Sequence, residues 1–238
     1  DVVDTGTPAA LEITAANDVT LATVTLDGAA NPLLKIALDS NGGGATLATG
    51  ALQAGTIEVS GTVTDDAMNL SGPVNATAGH VLVQNADTMN FASTIDAATS
   101  VTLQAANTIA ANDTITVSSS VLIQNAILVD LDGDVAAGTT LTIQNATTVD
   151  LAQNVDLTAG GTVDLNNTVG QIQLSGAAGT NKITSTGGSI ELADVVDTGT
   201  PAALEITAAN DITLATVTLD GAANPLLKIA LDSNGGGA

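Results

Sequence analysis

Positive charge is almost absent from this 238-residue chain. Three lysines and no arginine stand against 25 acidic residues, which gives a formal net charge of −22 at pH 7. Nucleic acids and anionic lipids are bound by clustered Lys and Arg side chains that neutralise phosphates. The composition therefore excludes nucleic acid as an expected partner.

Cysteine, aromatic bulk and long apolar runs are also missing. No cysteine is present and Phe91 is the only aromatic residue. The lack of cysteine excludes a disulfide scaffold and a thiolate metal site. No apolar run reaches the roughly 18 residues that a membrane helix needs, so membrane insertion is not expected. Because ordinary globular cores rely on aromatic residues, a narrow core of Val, Ile, Leu and Ala is predicted.

What the sequence does contain is a repeat between Val81 and Gln153, where apolar residues recur every 20 positions. Each period has three short apolar runs with β-branched residues at alternate positions, which is typical of strands with one buried face. Stacked, the periods give four apolar columns, one column of small residues and one of amides: Val81, Val101, Val121 and Leu141; Val83, Leu103, Ile123 and Ile143; Met89, Ile109, Val129 and Val149; Ile95, Ile115, Val135 and Val155; Ala86, Ala106, Ala126 and Ala146; Gln84, Gln104, Gln124 and Gln144.

A fixed period near twenty residues indicates a solenoid, in which each period forms one coil stacked on the next. The sequence therefore predicts an all-β fold, a parallel β-helix (β-solenoid) with three short strands per coil of about 20 residues. Outside the regular stretch the spacing is looser. There we interpret three further strand pairs as the successive coils that precede Val81: Val19 and Leu21, Ile36 and Leu38, Ile57 and Val59.

The two ends of the chain are nearly the same sequence. Residues 1–45 recur at 194–238 with one change, Val19 to Ile212, so the offset is 193 residues. Near-identity over this length exceeds what a shared fold requires, and it indicates duplicated DNA within a tandem array. We interpret residues 1–193 as one complete solenoid unit and 194–238 as the start of the next unit, with no separate domain.

The chain resembles the repeat regions of filamentous-haemagglutinin-type exoproteins and other giant bacterial surface adhesins. The segments that carry the resemblance include GGSIELADVV, AGGTVDLNN and VLIQNAILVDLDGDVAAGTTLTIQNATTVDLAQNVDLTAG. It covers essentially the whole chain and rests on a shared repeat pattern. It implies a right-handed β-helix, export from a bacterial cell to the exterior or the cell surface, and a role as a stalk or adhesive filament.

Asp130, Asp132 and Asp134, in the segment VDLDGDV, are the best candidates for an ion site. If the apolar residues between them point into the core, Asp130 and Asp132 point outward on the same face. Asp150 follows Asp130 one coil later, so two carboxylates should lie about 5 Å apart. Such a pair favours a raised pKa or a bound cation, and oxygen ligands suit calcium. The alternatives are a calcium site of these four residues and a solvated acidic face.

No arrangement of residues points to catalysis. His80 is the only histidine, and no serine, cysteine or acid stands at a meaningful spacing from it. Pectin-degrading enzymes also use β-helices, but they hold acidic sugars with basic side chains, which this chain nearly lacks. The chain is therefore predicted not to be an enzyme, and no catalytic or cofactor-binding residue is assigned beyond the calcium candidates.

The amides beside the first strand of each coil are predicted to be structural. Gln side chains at the same position on neighbouring coils can hydrogen-bond along the stack, as they do in cross-β structures. Asn85, Asn125 and Asn145 would tolerate the left-handed conformation of a coil corner.

Stacked Thr-x-Thr rows, by which some β-solenoids bind ice, are not expected here. Thr114 and Thr116 form one such row, but the flanking coils carry Asp96 and Ala136 in the column of Thr116. An ice-binding β-solenoid is therefore only a remote alternative.

The predicted function is the structural shaft repeat of a long extracellular bacterial filament or surface adhesin. Its expected partner is itself, as adjacent repeats or subunits stacked end to end, with lateral bundling between filaments. Two alternatives stay open: a face that binds a surface receptor or glycan, and a fibre subunit that polymerises without covalent linkage.

Overall fold

The structure is a computed structural model that describes residues 1–4, 10–28, 31–39, 43–61, 65–167, 169–177, 179–199, 203–220 and 225–232. These residues form 29 strands and no helix, so none of them forms a helix long and apolar enough to cross a membrane. In chain order the strands are β1 (Val2–Val3), β2 (Ala10–Ala15), β3 (Val19–Leu21), β4 (Val24–Thr25), β5 (Leu33–Leu38), β6 (Thr46–Thr49), β7 (Leu52–Ala54), β8 (Thr56–Ser60), β9 (Ala67–Leu70), β10 (Val74–Ala76), β11 (Val81–Phe91), β12 (Ile95–Ala97), β13 (Val101–Ala111), β14 (Ile115–Val117), β15 (Val121–Gln124), β16 (Leu128–Leu131), β17 (Val135–Ala137), β18 (Leu141–Gln144), β19 (Thr148–Leu151), β20 (Asp156–Ala159), β21 (Val163–Leu165), β22 (Gln171–Leu174), β23 (Thr180–Ser185), β24 (Ile190–Leu192), β25 (Val195–Asp197), β26 (Ala203–Ala208), β27 (Ile212–Leu214), β28 (Val217–Thr218) and β29 (Leu226–Leu231).

The strands form three parallel sheets, and the chain visits them in turn so that each coil adds one strand to each sheet. Sheet 1 contains β2, β5, β8, the first parts of β11 and β13, β15, β18, β21, β24 and β27. Sheet 2 contains β3, β6, β9, the last parts of β11 and β13, β16, β19, β22, β25 and β28. Sheet 3 contains eleven strands, namely β1, β4, β7, β10, β12, β14, β17, β20, β23, β26 and β29.

The predicted all-β parallel solenoid is therefore confirmed, with about 22 residues per coil. Its core follows from the alternation of apolar and polar residues along each strand. In β15, for example, Val121 and Ile123 are buried while Leu122 and Gln124 are not. The first three predicted apolar columns and the glutamine column are in register between neighbouring strands, as expected.

The fourth predicted column, in sheet 3, is correct for its first three members and wrong for Val155. Val135 is in register with Leu157 instead. The turn between β19 and β20 is longer than its counterpart between β16 and β17, and it includes Asn154 with a left-handed φ of 61°. The extra length places Val155 at the corner before β20, where it is still buried.

The predicted column of small residues also needs one correction. Ala86, Ala126 and Ala146 are buried, but Ala106 is exposed and Ala105 is buried in its place, in register with Ala86. The other three coils have an asparagine before the small residue, whereas Ala105 stands at that position. The left-handed conformation is sterically unfavourable for alanine. The backbone at this corner therefore follows a different path. The asparagines have φ values of 59° (Asn85), 64° (Asn125) and 54° (Asn145).

The prediction for the early coils is wrong at its first strand pair. Val19 and Leu21 belong to β3 in sheet 2, whereas Ile36 belongs to β5 in sheet 1 and is in register with Ile13. The second pair lies in sheet 1 but is displaced by two residues from its predicted partners, because Ile36 is in register with Val59 and Leu34 with Ile57. Only Ile57 and Val59 stack on Val81 and Val83 as expected. All three sheets have the same alternation of apolar and polar residues, so the pattern alone does not say which sheet a strand joins.

Candidate functional site

The acidic residues predicted as an ion site centre on a pair of stacked aspartates. Asp130 on β16 and Asp150 on β19 are in register on the outer surface of sheet 2. Val129 and Leu131 are fully buried, so the side chain of Asp130 points outward, as predicted. The Oδ1 atom of Asp150 is buried and has no hydrogen-bond partner among the described residues.

The environment of Asp130 disfavours its charged form. Partial burial raises the pKa of the Asp130 carboxyl above its ordinary value, and the negative charges of Asp132 and Asp150 raise it further. Burial removes water that would solvate the carboxylate, and each neighbouring charge adds repulsion. The pair is thus an electrostatically unfavourable feature of an otherwise regular sheet.

The other two predicted ligands do not complete a cage around this pair. Asp132 is exposed beyond the end of β16, and Oδ1 of Asp134 accepts a hydrogen bond from the backbone N–H of Asp156 at 2.8 Å. No three His, Asp or Glu side chains come together as a metal-binding group within the part of the chain that the structure describes. The structure brings together Asp130 and Asp150, and calcium binding stays a prediction.

Removing one charge of the pair is expected to stabilise the protein. Like charges directly opposite each other in a sheet cost roughly 0.2–1 kcal/mol, so Asp130→Asn should raise the free energy of unfolding by about 0.5–1 kcal/mol near pH 7. A carboxyl with a raised folded-state pKa stabilises the fold when protonated and loses that contribution as pH rises. The gain from Asp130→Asn should therefore shrink as pH falls through the raised pKa of Asp130 and should be lost by about pH 4, the ordinary pKa of an aspartate, as measured by urea denaturation across pH.

Asp96→Asn is the matched control for this prediction. Asp96 is an exposed outward aspartate of sheet 3 that stacks between Asn75 and Thr116, which are uncharged. Its replacement should change stability little at either pH. Equal stabilisation by both variants would mean that reduced net charge, rather than the Asp130–Asp150 pair, is responsible.

Several other polar side chains have a structural role that the sequence did not reveal. The Oδ1 atoms of Asp18, Asp66 and Asn181 accept hydrogen bonds from the backbone N–H groups of Thr46, Ala45 and Val155 on neighbouring coils, at 2.8, 2.8 and 3.0 Å. Asp66 and Asn181 are themselves buried. Each bond satisfies an N–H near a corner, and for the buried N–H groups of Ala45 and Val155 the lack of a partner would cost about 1–3 kcal/mol. Part of the high acid content thus serves the coil corners.

Three of the four predicted glutamines, Gln104, Gln124 and Gln144, form the expected ladder. Nε2 of Gln124 donates to Oε1 of Gln104 at 3.3 Å, and Nε2 of Gln144 donates to Oε1 of Gln124 at 2.8 Å. Asn145 donates to Asn125 at 2.9 Å in the same way. These bonds connect successive coils outside the core, and they add side-chain links to the backbone ladder.

Two further residues considered in the sequence analysis, His80 and Thr116, lie in contacts between neighbouring coils. His80 Nε2 is 3.5 Å from Oε1 of Glu58 on the preceding coil, an exposed pairing along the stack. Thr116 is in register with Asp96 and Ala136, so the described register gives no continuous threonine column there. A shallow, open groove on sheet 3 is bordered by Asn75, Asp96 and Thr116, and its lining has no aromatic or cationic side chain.

Comparison with known proteins identifies no relative. No protein-family model, no curated protein and no solved structure matches this chain. The β-solenoid is established by the structure, while the resemblance to filamentous-haemagglutinin-type repeats stays a prediction from the sequence.

Proposed function

We propose that this chain is a non-enzymatic shaft repeat of a long filament or surface adhesin exposed outside a bacterial cell. The single observation that carries the proposal is the way in which the duplicated sequence joins the first unit. β26 and β27, from the second copy, pair in parallel with β23 and β24, from the end of the first unit. One unit passes into the next through continuous hydrogen-bonded sheets rather than through a linker.

The direction of the hydrogen bonds supports a mechanical role. Because each coil adds one strand to each sheet, the inter-strand hydrogen bonds run along the axis of the solenoid. Unbroken core contacts follow the same axis, from Val24 in an early coil to Ala208 in β26. A tandem array built in this way is a single rod whose stiffness does not depend on flexible joints.

Electron microscopy of polypeptides with different numbers of units tests the proposal. At about 4.8 Å per coil and about nine coils per unit, each added 193-residue unit should lengthen the rod by roughly 40–45 Å. Rods of uniform width whose length rises linearly with unit number are the expected result. Globular particles joined like beads would contradict the shaft.

A further inference from the structure

The duplicated sequence occupies different sheets at its two occurrences. β2 lies in sheet 1, whereas β26, which has the same sequence ALEITA, lies in sheet 3. Likewise β3 lies in sheet 2 and its copy β27 in sheet 1, and β5 lies in sheet 1 and its copy β29 in sheet 3. The two remaining equivalent pairs, β1 with β25 and β4 with β28, move from sheet 3 to sheet 2. All five pairs are displaced by the same step of one sheet.

This step follows from the number of strands in a unit. Between β2 and β26 the chain advances by 24 numbered strands, and β11 and β13 each serve two sheets, which gives 26 strand positions. Division by three strands per coil gives 8⅔ coils per 193-residue unit. Because each unit is one third of a coil shorter than nine whole coils, every strand of the next unit lies one sheet away from its equivalent in the first unit.

The repeated sequence fits either sheet because it places the same residues inside in both. Leu11 and Ile13 of β2 pack against the core, and Leu204 and Ile206 of β26 are fully buried. Glu12 and Glu205 point outward in both settings. For β2 and β26 the displacement therefore changes the neighbouring strands, while the same apolar side chains face the core and the same glutamate faces outward.

The lysines mark the junction between units. In sheet 3, Lys182 is in register between Asp156 and Glu205, and Lys228 follows Glu205. The Nζ atoms of Lys182 and Lys228 lie 3.4 Å from Asp156 Oδ2 and 3.7 Å from Glu205 Oε2. This alternating column crosses from the first unit into the second.

The first copy carries the corresponding part of the column on a different sheet. In sheet 1, Lys35 is in register between Glu12 and Glu58. All three lysines of the chain thus lie in this column at one copy or the other. Opposite charges in register stabilise neighbouring strands, which favours this register over a displaced one.

We infer that each unit of the array binds the next copy of itself with a rotation of one sheet, about one third of a turn, across an acid–base column. The column reads Asp156, Lys182, Glu205 and Lys228, followed by the residue equivalent to Glu58. This inference rests on the proposed tandem shaft and specifies how its units are arranged. Three units, 26 coils and about 125 Å complete one period, and the Asp130–Asp150 pair recurs on all three sides.

Disulfide trapping in the 238-residue protein tests the rotation, because the chain has no cysteine of its own. Thr184 and Thr207 are in register on β23 and β26 in sheet 3. Thr184→Cys with Thr207→Cys should therefore cross-link in most molecules under mild oxidation, as seen by non-reducing electrophoresis. Leu122→Cys with Thr142→Cys, in register on β15 and β18, is the positive control.

The decisive comparison pairs Thr207→Cys with Glu191→Cys, which lies on β24 in sheet 1. Little cross-linking is expected between residues 191 and 207. The rotation would be overturned if this pair cross-linked efficiently and the pair at residues 184 and 207 did not. Nitroxide labels at the same positions give an independent readout, with strong dipolar broadening expected only for positions 184 and 207. The rotation and the shaft can be contradicted separately. If micrographs show a rod but residues 191 and 207 cross-link, only the rotation is wrong. If micrographs show beads but residues 184 and 207 cross-link, only the shaft is wrong.

Discussion

Ile123→Asp is expected to abolish the folded state of the coils around it. Ile123 is completely buried in sheet 1 between Leu103 and Ile143, in a core only a few side chains wide. An unpaired carboxylate there has no water and no cation to solvate it. The free energy of unfolding should fall by more than about 4 kcal/mol, and circular dichroism should show loss of β-structure at room temperature.

The neighbouring residue gives a matched control for this change. Leu122 is on the same strand and points to the outer surface, in register with Thr102 and Thr142. Leu122→Asp adds the same charge to the same strand at a solvated position and should cost less than about 1 kcal/mol. If both variants were equally unstable, the assignment of inward and outward faces to β15 would be wrong.

Gly50→Ala is expected to destabilise an early corner through steric overlap with the backbone. A Cβ atom at Gly50 would lie 1.8 Å from the carbonyl oxygen of Ala22 on the preceding coil. The N–H of Gly50 donates to the carbonyl of Leu21 at 2.8 Å, so the two coils are held together at this point. The coils would have to separate, at a cost of about 2–3 kcal/mol, measurable as a lower urea midpoint.

Gly43→Ala controls for the general effect of replacing a glycine. An added Cβ at Gly43 meets no atom of the described residues within 4 Å, and Gly43 is exposed. This variant should be neutral, or slightly more stable because the unfolded chain loses conformational freedom. A neutral result for Gly50→Ala as well would show that the coils do not approach each other closely at that corner.

Most of the fold was predictable because in a solenoid the residues that touch are one period apart in sequence. The columns that begin with Val81, Val83 and Met89 follow from the 20-residue spacing alone, and their strands pair as predicted. The errors occur where one coil differs from its neighbours. The turn that contains Asn154 is longer than its counterpart, so Leu157 rather than Val155 lies in the column. At the corner that has no asparagine, Ala105 rather than Ala106 lies in the column of small residues.

The candidate site was predictable only in part. The stacking of Asp130 and Asp150 follows from the period and is confirmed. Asp134 has a structural role instead, because its carboxylate accepts a hydrogen bond from the backbone N–H of Asp156. This role depends on which backbone groups at a corner have no partner in the neighbouring strand. The same is true of Asp66 and Asn181, whose buried oxygens serve neighbouring coils. An acid at a corner and an acid in solvent look alike in sequence.

The sequence by itself determined the period, the inward and outward faces of each strand, and the duplication of residues 1–45 at 194–238. These depend on local alternation and on spacing, and both can be read along the chain. Only the tertiary structure decided which sheet each strand joins, including the placement of β2 in sheet 1 and of its copy β26 in sheet 3. The physical reason is that all three sheets accept the same alternating strand, so a strand's sheet is set by the number of strands that precede it and by the neighbours with which it pairs.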